Sequence, residues 1–265
     1  MNKKDIIVVI PFYLSTLSVQ EEVSLRQCLN VLTDYSIVAI KPESLDMLDI
    51  LARFPIDEVV TFPDDCFRGI ESYNRLVLDA NFYKVFSAYS YMLIYQLDAY
   101  VFKDELFFWA SLGYDYIGAP WMPHLRKHWQ VLGKCLWALQ RSFWRMFCPR
   151  KMRKMKACWY HVGNGGLSLR KISKMIKVTE HYRERIDRWL GDGSSFFPED
   201  VLLLLLTPRR GEFRLKRPSY KLAMKFCIEH IPAWTYRANG CQLPFGCHNW
   251  THPEMLPFWT QFIKY

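Results

Sequence analysis

"YMLIYQLDAYVF", residues 91–102, is the stretch whose reading decides the fold. Tyr91, Met92, Leu93, Ile94 and Tyr95 form an apolar run that leaves no face for water, the pattern of a strand buried on both sides in a parallel sheet. The run then meets Gln96 and a lone carboxylate, Asp98, before Val101 and Phe102 turn apolar again. An acid that ends a buried strand costs free energy unless it is paired, hydrogen-bonded or holding a cation. In open α/β sheets ligands gather outside the carboxyl ends of the strands, so Asp98 marks the edge where a site is expected.

Upstream, "DIIVVIPF" (5–12), "YSIVAIK" (35–41) and "DEVVTFP" (57–63) read as further strands. Between them, "VQEEVSLRQCLNVL" (19–32), "ESLDMLDILARF" (43–54) and the stretch 73–90 read as helices or helix plus turn. That alternation predicts an α/β fold with a mostly parallel central sheet flanked by helices. Right-handed crossovers bring the loop "PFYLSTLS" after the first strand to the same edge as Asp98. No repeat or low-complexity linker divides the chain, so residues 1–265 are expected to form one domain with an insertion at about 122–158.

The bulk composition narrows the function classes. With 51% hydrophobic and 16% aromatic residues, the chain is globular rather than disordered. Its longest aliphatic run, Val201 to Leu206, is too short to span a bilayer, and the N-terminus lacks a signal-peptide pattern. The eight cysteines show no C-x-x-C pair, which predicts reduced thiols in a cytoplasmic protein. Charge is lopsided: fourteen of the thirty-five basic residues, and none of the twenty-six acidic ones, lie between Asp115 and Glu180. Such a face calls for an anionic partner.

Much of that charge falls in the insertion. At ~100° per residue, Trp129, Leu132, Leu136, Leu139, Phe143 and Phe147 share one sector, with Lys127, Lys134, Arg141 and Arg145 opposite, and "CPRKMRKMK" follows. Two readings stand: an amphipathic helix packed on the body, or one lying in an anionic membrane surface through residues 124–158. Nucleic acid is not expected, because no base-reading motif accompanies the charge.

Four short signals bear on chemistry. They are Q-L-D-A (96–99), "HVGNGGLSLRK" (161–171), "PEDV" (198–201) and "LPFGCHNW" (243–250). Each alone has an ordinary reading: a capping Asp, a plain turn, two helix-start acids, a structural histidine. In this order they resemble metal-dependent nucleotide-sugar glycosyltransferases of the GT-A fold, a Rossmann-like architecture. "YNRLVL" (73–78), the strand ending at Asp98, "VGNGGLSL" (162–169) and "PEDV" are similar to motifs of the inverting β1,3-galactosyl- and N-acetylglucosaminyl-transferases. The chain also resembles a largely uncharacterised bacterial and fungal glycosyltransferase-like domain family marked by Q-x-D-A, N-G-G-x-S-L-R, P-E-D and P-F-G-x-H-x-W.

The resemblance implies transfer of a sugar from a nucleotide donor, a UDP-sugar, to a hydroxyl of a glycan or lipid-linked acceptor in surface polysaccharide or lipopolysaccharide synthesis. It implies inversion, and a divalent ion, Mn2+ or Mg2+, held by Asp98 and His248. Gln96 stands where that family carries the first Asp of D-x-D. Asp200 would be the general base, with Glu199 orienting the acceptor or substituting. Pro11, Phe12, Tyr13, Glu43, Asn74, Gln96, Asp98 and Ala99 would hold the donor. Asn164, Gly165, Gly166 and Trp250 would meet the sugar or acceptor. The enzyme would sit peripherally on the cytoplasmic face of the inner membrane. A retaining transferase, or an inactive binding module of the same fold, are the alternatives.

Overall fold

The protein is described by a computed structural model covering residues 1–122, 158–191 and 198–264. Nine strands are present among these residues: β1 (Ile6–Pro11), β2 (Ser36–Pro42), β3 (Glu58–Phe62), β4 (Tyr91–Tyr95), β5 (Tyr100–Val101), β6 (Tyr116–Ile117), β7 (Leu167–Lys171), β8 (Cys227–Ile228) and β9 (Gly246–Cys247). Six form one sheet in the order β3-β2-β1-β4-β7-β6, and β5, β9 and β8 form a small second sheet. Strands β1 to β4 are mutually parallel, while β7 runs antiparallel to β4 and β6. The sheet is therefore mostly parallel, as the alternation predicts.

The helices are α1 (Val19–Val31), α2 (Leu48–Arg53), α3 (Ile70–Val77), α4 (Ala80–Val85), α5 (Leu106–Ser111), α6 (Ile172–His181), α7 (Arg183–Gly191), α8 (Glu199–Leu206), α9 (Tyr220–Phe226), α10 (Pro232–Ala238) and α11 (Leu256–Trp259). Local chemistry sets their starts. Ser18 and Glu21 form a reciprocal capping box at α1, each side chain taking the other residue's backbone N–H. Asp79 caps α4 by accepting from the Asn81 N–H, which divides the expected 73–90 helix into α3 and α4. Residues 43–47 stay outside α2, where Lys41 Nζ donates to the carbonyls of Pro42, Glu43 and Leu45.

Every residue of β1 and β4 is buried, as the unbroken apolar runs require. Side chains alternate between two cores. Ile6, Val8, Ile10, Leu93 and Tyr95 pack with α1, α2 and α5, while Ile7, Val9, Met92 and Ile94 pack with α3, α4, α6 and α8. The β4 strand ends at Tyr95, earlier than the 91–98 reading. Gln96 then donates its N–H to the Gly166 carbonyl at 2.8 Å, and residues 96–99 close a turn through the Ala99 N–H and the Gln96 carbonyl. Asp98 lies in that turn, beyond the strand edge. The insertion reading for about 122–158 falls almost entirely outside the described residues. No helix among the described residues is long and apolar enough to cross a membrane.

Candidate active site

At the carboxyl edge of the parallel strands lies a cleft of about 560 Å³. Its walls come from the loop after β1 (Tyr13), helix α3 (Tyr73, Asn74), the turn after β4 (Gln96), the glycine turn (Asn164, Gly165, Gly166), the α8 start (Glu199, Asp200) and the segments after β8 and β9 (Glu229, His230, His248). Residues separated by most of the chain thus meet at one edge.

His248 organises one end. Its Nε2 lies 3.1 Å from Asp98 Oδ1 and 3.1 Å from Gln96 Oε1, and its Nδ1 lies 3.1 Å from Glu229 Oε1. Burial alone would favour neutral imidazole. The Asp98 charge and hydrogen bonds to Asp98 and Glu229 outweigh it and raise the imidazolium pKa to about 10. Burial likewise works against the Asp98 and Glu229 carboxylates, but His248 holds both below the usual range. The acid beyond the strand is thus paired: it faces a histidine. Glu229 also meets His230 Nε2 at 3.2 Å.

Among the described residues no three His, Cys, Asp or Glu side chains are grouped to cage a metal. The set that converges is smaller: a carboxylate, an imidazole nitrogen and an amide oxygen. It fits a hard divalent ion that keeps phosphate oxygens and waters as its other ligands. Glu229 on the far nitrogen of His248 supplies the carboxylate–histidine support that metal-binding imidazoles ordinarily carry. Gly166 is needed for this approach, because a Cβ there would lie 1.9 Å from His248 Nε2.

The other end holds two adjacent acids with different partners. Glu199 pairs with Arg170 through one carboxylate oxygen, while its other oxygen is buried without a hydrogen-bond partner. Asp200 accepts the N–H of Val201 at 2.7 Å and the N–H of Asn164. Burial and the charges of Glu199 and Glu229 raise the Asp200 carboxyl to about 8, against the pull of those two amides. Two adjacent buried carboxylates, one bound to a guanidinium and the other to backbone amides, occupy different environments at one site.

Several expected contacts need correction. Of Pro11, Phe12 and Tyr13, only Tyr13 reaches the cleft, edge-on to Phe67 and Tyr73; Pro11 is buried within β1 and Phe12 in the core. Glu43 is exposed on a turn outside the cleft walls, and Ala99 is fully buried. Trp250 is a fully buried core residue outside the cleft walls, and its indole N–H donates to Ser24 Oγ at 2.8 Å. The amides of Asn164 and Gly166 are already used, by Asp200 and by Asn164 Oδ1. Arg170, counted above with a basic face, has no exposed surface.

Glu229 and Arg170 escaped the sequence reading. "FCIE", an apolar run ending in an acid, repeats the signal that singled out Asp98. For Arg170 the signal was parity: Ser168 and Arg170 are the polar pair on one face of β7.

The profile of the family described as "Protein of unknown function (DUF5672)" matches residues 57–248. A search of curated proteins finds no match. Among solved structures, core-mannan synthase A from Aspergillus fumigatus, in a Mn/GDP form, is 8% identical with a TM-score of 0.50, covering 75% of this chain and 68% of its own. The mannosyltransferase Ktr4p from S. cerevisiae in complex with GDP is 11% identical at TM-score 0.48, covering 83% and 68%. The galactosyltransferase LgtC in complex with donor and acceptor sugar analogs is 13% identical at TM-score 0.49, covering 91% and 86%. The likeness to the first shows a GT-A fold. By its family profile, which spans most of the sheet and the cleft, the chain belongs to the DUF5672 family.

Proposed function

We propose that the protein is a glycosyltransferase moving a sugar from a nucleoside diphosphate donor to an acceptor hydroxyl with inversion. The observation that carries this reading is the cleft itself. Two adjacent acids, Glu199 and Asp200, line one cleft with His248, whose Nε2 lies 3.1 Å from Asp98, in a fold shared with core-mannan synthase A in its Mn/GDP form.

Asp98 and His248, with the Gln96 amide oxygen, would hold a divalent ion, which when bound offsets charge on the departing diphosphate. Tyr13, projecting from the loop after β1 with Tyr73 and Phe67 behind it, offers a ring against which a nucleobase stacks. Asp200 takes the proton of the acceptor hydroxyl, which then attacks the anomeric carbon from the face opposite the leaving group. The Asn164 N–H holds Asp200 in place, and the Asn164 side chain in turn supports the Gly166 amide. The acceptor is a glycan or lipid-linked hydroxyl of a surface polysaccharide or lipopolysaccharide, met on the cytoplasmic face of a membrane. Its docking there is assigned to residues 124–158.

The test is a thermal-shift screen of UDP- and GDP-sugars with and without Mn2+, because a true donor stabilises the folded protein by mass action. Transfer products are then assayed by NMR for anomeric configuration. Retention of the donor's configuration rejects Asp200 as the base for an inverting attack, and no stabilisation by any nucleotide sugar rejects the transferase reading.

A further inference from the structure

Strand β7 places a guanidinium where a hydrophobe would ordinarily sit. Arg170 has no exposed surface, and each arm of its fork is used. Nε donates to Ser168 Oγ at 3.0 Å, one terminal nitrogen donates to the Tyr83 hydroxyl at 2.8 Å, and the other donates to Glu199 and to the Gly165 carbonyl at 3.4 Å. The Tyr116 ring lies 5.3 Å away. A buried ion pair is weak evidence of added stability, because desolvation offsets its Coulomb attraction. Its place at the start of α8, against the glycine turn, points elsewhere.

Glu199 and Asp200 are consecutive and both buried. Two like charges in a dry site oppose each other's ionisation. Arg170 resolves the conflict by binding one acid and not the other. We propose that Arg170 is a positioning residue of the transfer site: it takes up the Glu199 carboxylate, ties the glycine turn to the α8 start, and leaves Asp200 as the one acid of the pair that receives a substrate proton. Gly165 belongs to the same device, since a Cβ there would lie 2.3 Å from Glu199 Oε1. The proposal rests on Asp200 being the base, but the division of charge between the two acids is a property of the chain and is measured without substrate.

The charged and titratable groups that face Asp200 are Glu199 on its own helix, Glu229 after β8, Arg217 before α9, Tyr116 on β6 and Cys158. Arg217 donates only to Thr207 Oγ1, at 3.3 Å, and makes no ion pair with an acid among the described residues. Arg217 acts on both acids by charge alone, whereas Arg170 hydrogen-bonds Glu199 and so distinguishes the two.

The experiment follows the Asp200 carboxyl carbon by NMR in full-length, 13C-aspartate-labelled protein, the signal being assigned by its loss in Asp200→Asn. Glu199→Gln removes the neighbouring anion and leaves the Arg170 charge, so the Asp200 midpoint falls by about one pH unit or more. Arg170→Gln leaves Glu199 uncompensated, and the midpoint rises by a similar amount. The double variant Arg170→Gln/Glu199→Gln returns it to within about half a unit of wild type, since both charges leave together. If Arg170→Gln does not fold, Glu199→Gln and the double variant decide. A midpoint unmoved by Glu199→Gln overturns the proposal. Transfer assays separate the two claims. NMR shifts in a protein with no transfer activity uphold the charge division and reject the transferase reading. Transfer with unmoved midpoints does the reverse.

Discussion

On one face of the central sheet, Ile6, Val8, Ile10, Leu93, Tyr95, Leu167 and Leu169 pack under α1, α2 and α5, and the one polar side-chain atom among them, the Tyr95 hydroxyl, donates to the Ser24 and Ala99 carbonyls. On the other face, Ile7, Val9, Met92 and Ile94 are joined by Ser168 and Arg170, and the helices laid over them contribute Tyr83 and Glu199. The same strands build both faces, one residue out of phase. Among the strands the difference comes chiefly from β7, where alternate positions are leucine and polar, with the Tyr116 hydroxyl of β6 beside it. An apolar face needs only volume and tolerates repacking. The polar face requires each donor to meet its acceptor, and losing one partner leaves a buried charge behind.

The sharpest way to break this contrast is Asp200→Asn, which keeps shape and removes the base. Transfer should fall by about 10²–10⁴-fold, the usual worth of a positioned general base, while donor binding survives. Stability moves in a defined direction. The folded state raises the Asp200 carboxyl to about 8, so it holds its proton more tightly than the unfolded chain does. Its contribution is full below the ordinary carboxylate range and is lost as pH rises through about 8. Asp200→Asn should therefore raise the melting temperature relative to wild type at pH 9, and by less at each lower pH down to the ordinary carboxylate range. Wild-type transfer should climb with pH to a plateau above about 8. Activity that is flat from pH 6 to 9 sinks the assignment.

Next in size are the supports of His248. Glu229→Gln removes the carboxylate behind Nδ1 and should weaken Mn2+ binding by about 10–100-fold, read by titration calorimetry. Gly166→Ala drives a methyl into His248 Nε2 and should abolish Mn2+-dependent stabilisation, and EDTA should mimic it in wild type. On the apolar face, Leu169→Met should leave Mn2+ affinity and transfer unchanged and lower stability by less than about 1.5 kcal/mol. If Leu169→Met disturbs Mn2+ binding as Glu229→Gln does, the two faces are not functionally separate.

How much of this was legible follows from which interactions are local. The parallel strands showed in the sequence because a strand buried on both faces must be apolar throughout, as Tyr91–Tyr95 is. Asp98, His248 and Asp200 each had an ordinary reading alone and stood out only through the order of four short signals and the resemblance that order carries. What hid was pairwise. Within "NGGLSLRK" only the parity of Ser168 and Arg170 hints that Arg170 folds inward, because Tyr83 and Glu199, the partners outside the stretch, lie 87 and 29 residues away. Trp250 and Phe12 looked like ligand contacts because aromatic loop residues beside a site read alike whether they face in or out. Only the packing of α1 against the second sheet decides that.

The smallest effect tests the correction at Trp250. The residue is fully buried in a third cluster with Ile228, Cys247, Met255, Trp259 and Ile263, and its N–H reaches Ser24 on α1. Ser24 in turn takes the Tyr95 hydroxyl on its carbonyl at 2.8 Å. The chain of contacts thus joins the small sheet to α1 and the end of β4, while the Trp250 backbone N–H donates to the Asp98 carbonyl at 3.2 Å. Trp250→Phe keeps an aromatic ring, loses one neutral hydrogen bond and leaves a small void. The expected loss of stability is about 1–3 kcal/mol, read by urea unfolding, and transfer per folded molecule should stay within about twofold of wild type. The opposite pattern, an unchanged midpoint with an acceptor KM raised tenfold, would restore Trp250 to the acceptor site. It would also show that the wall of the cleft extends past His248 into the third cluster.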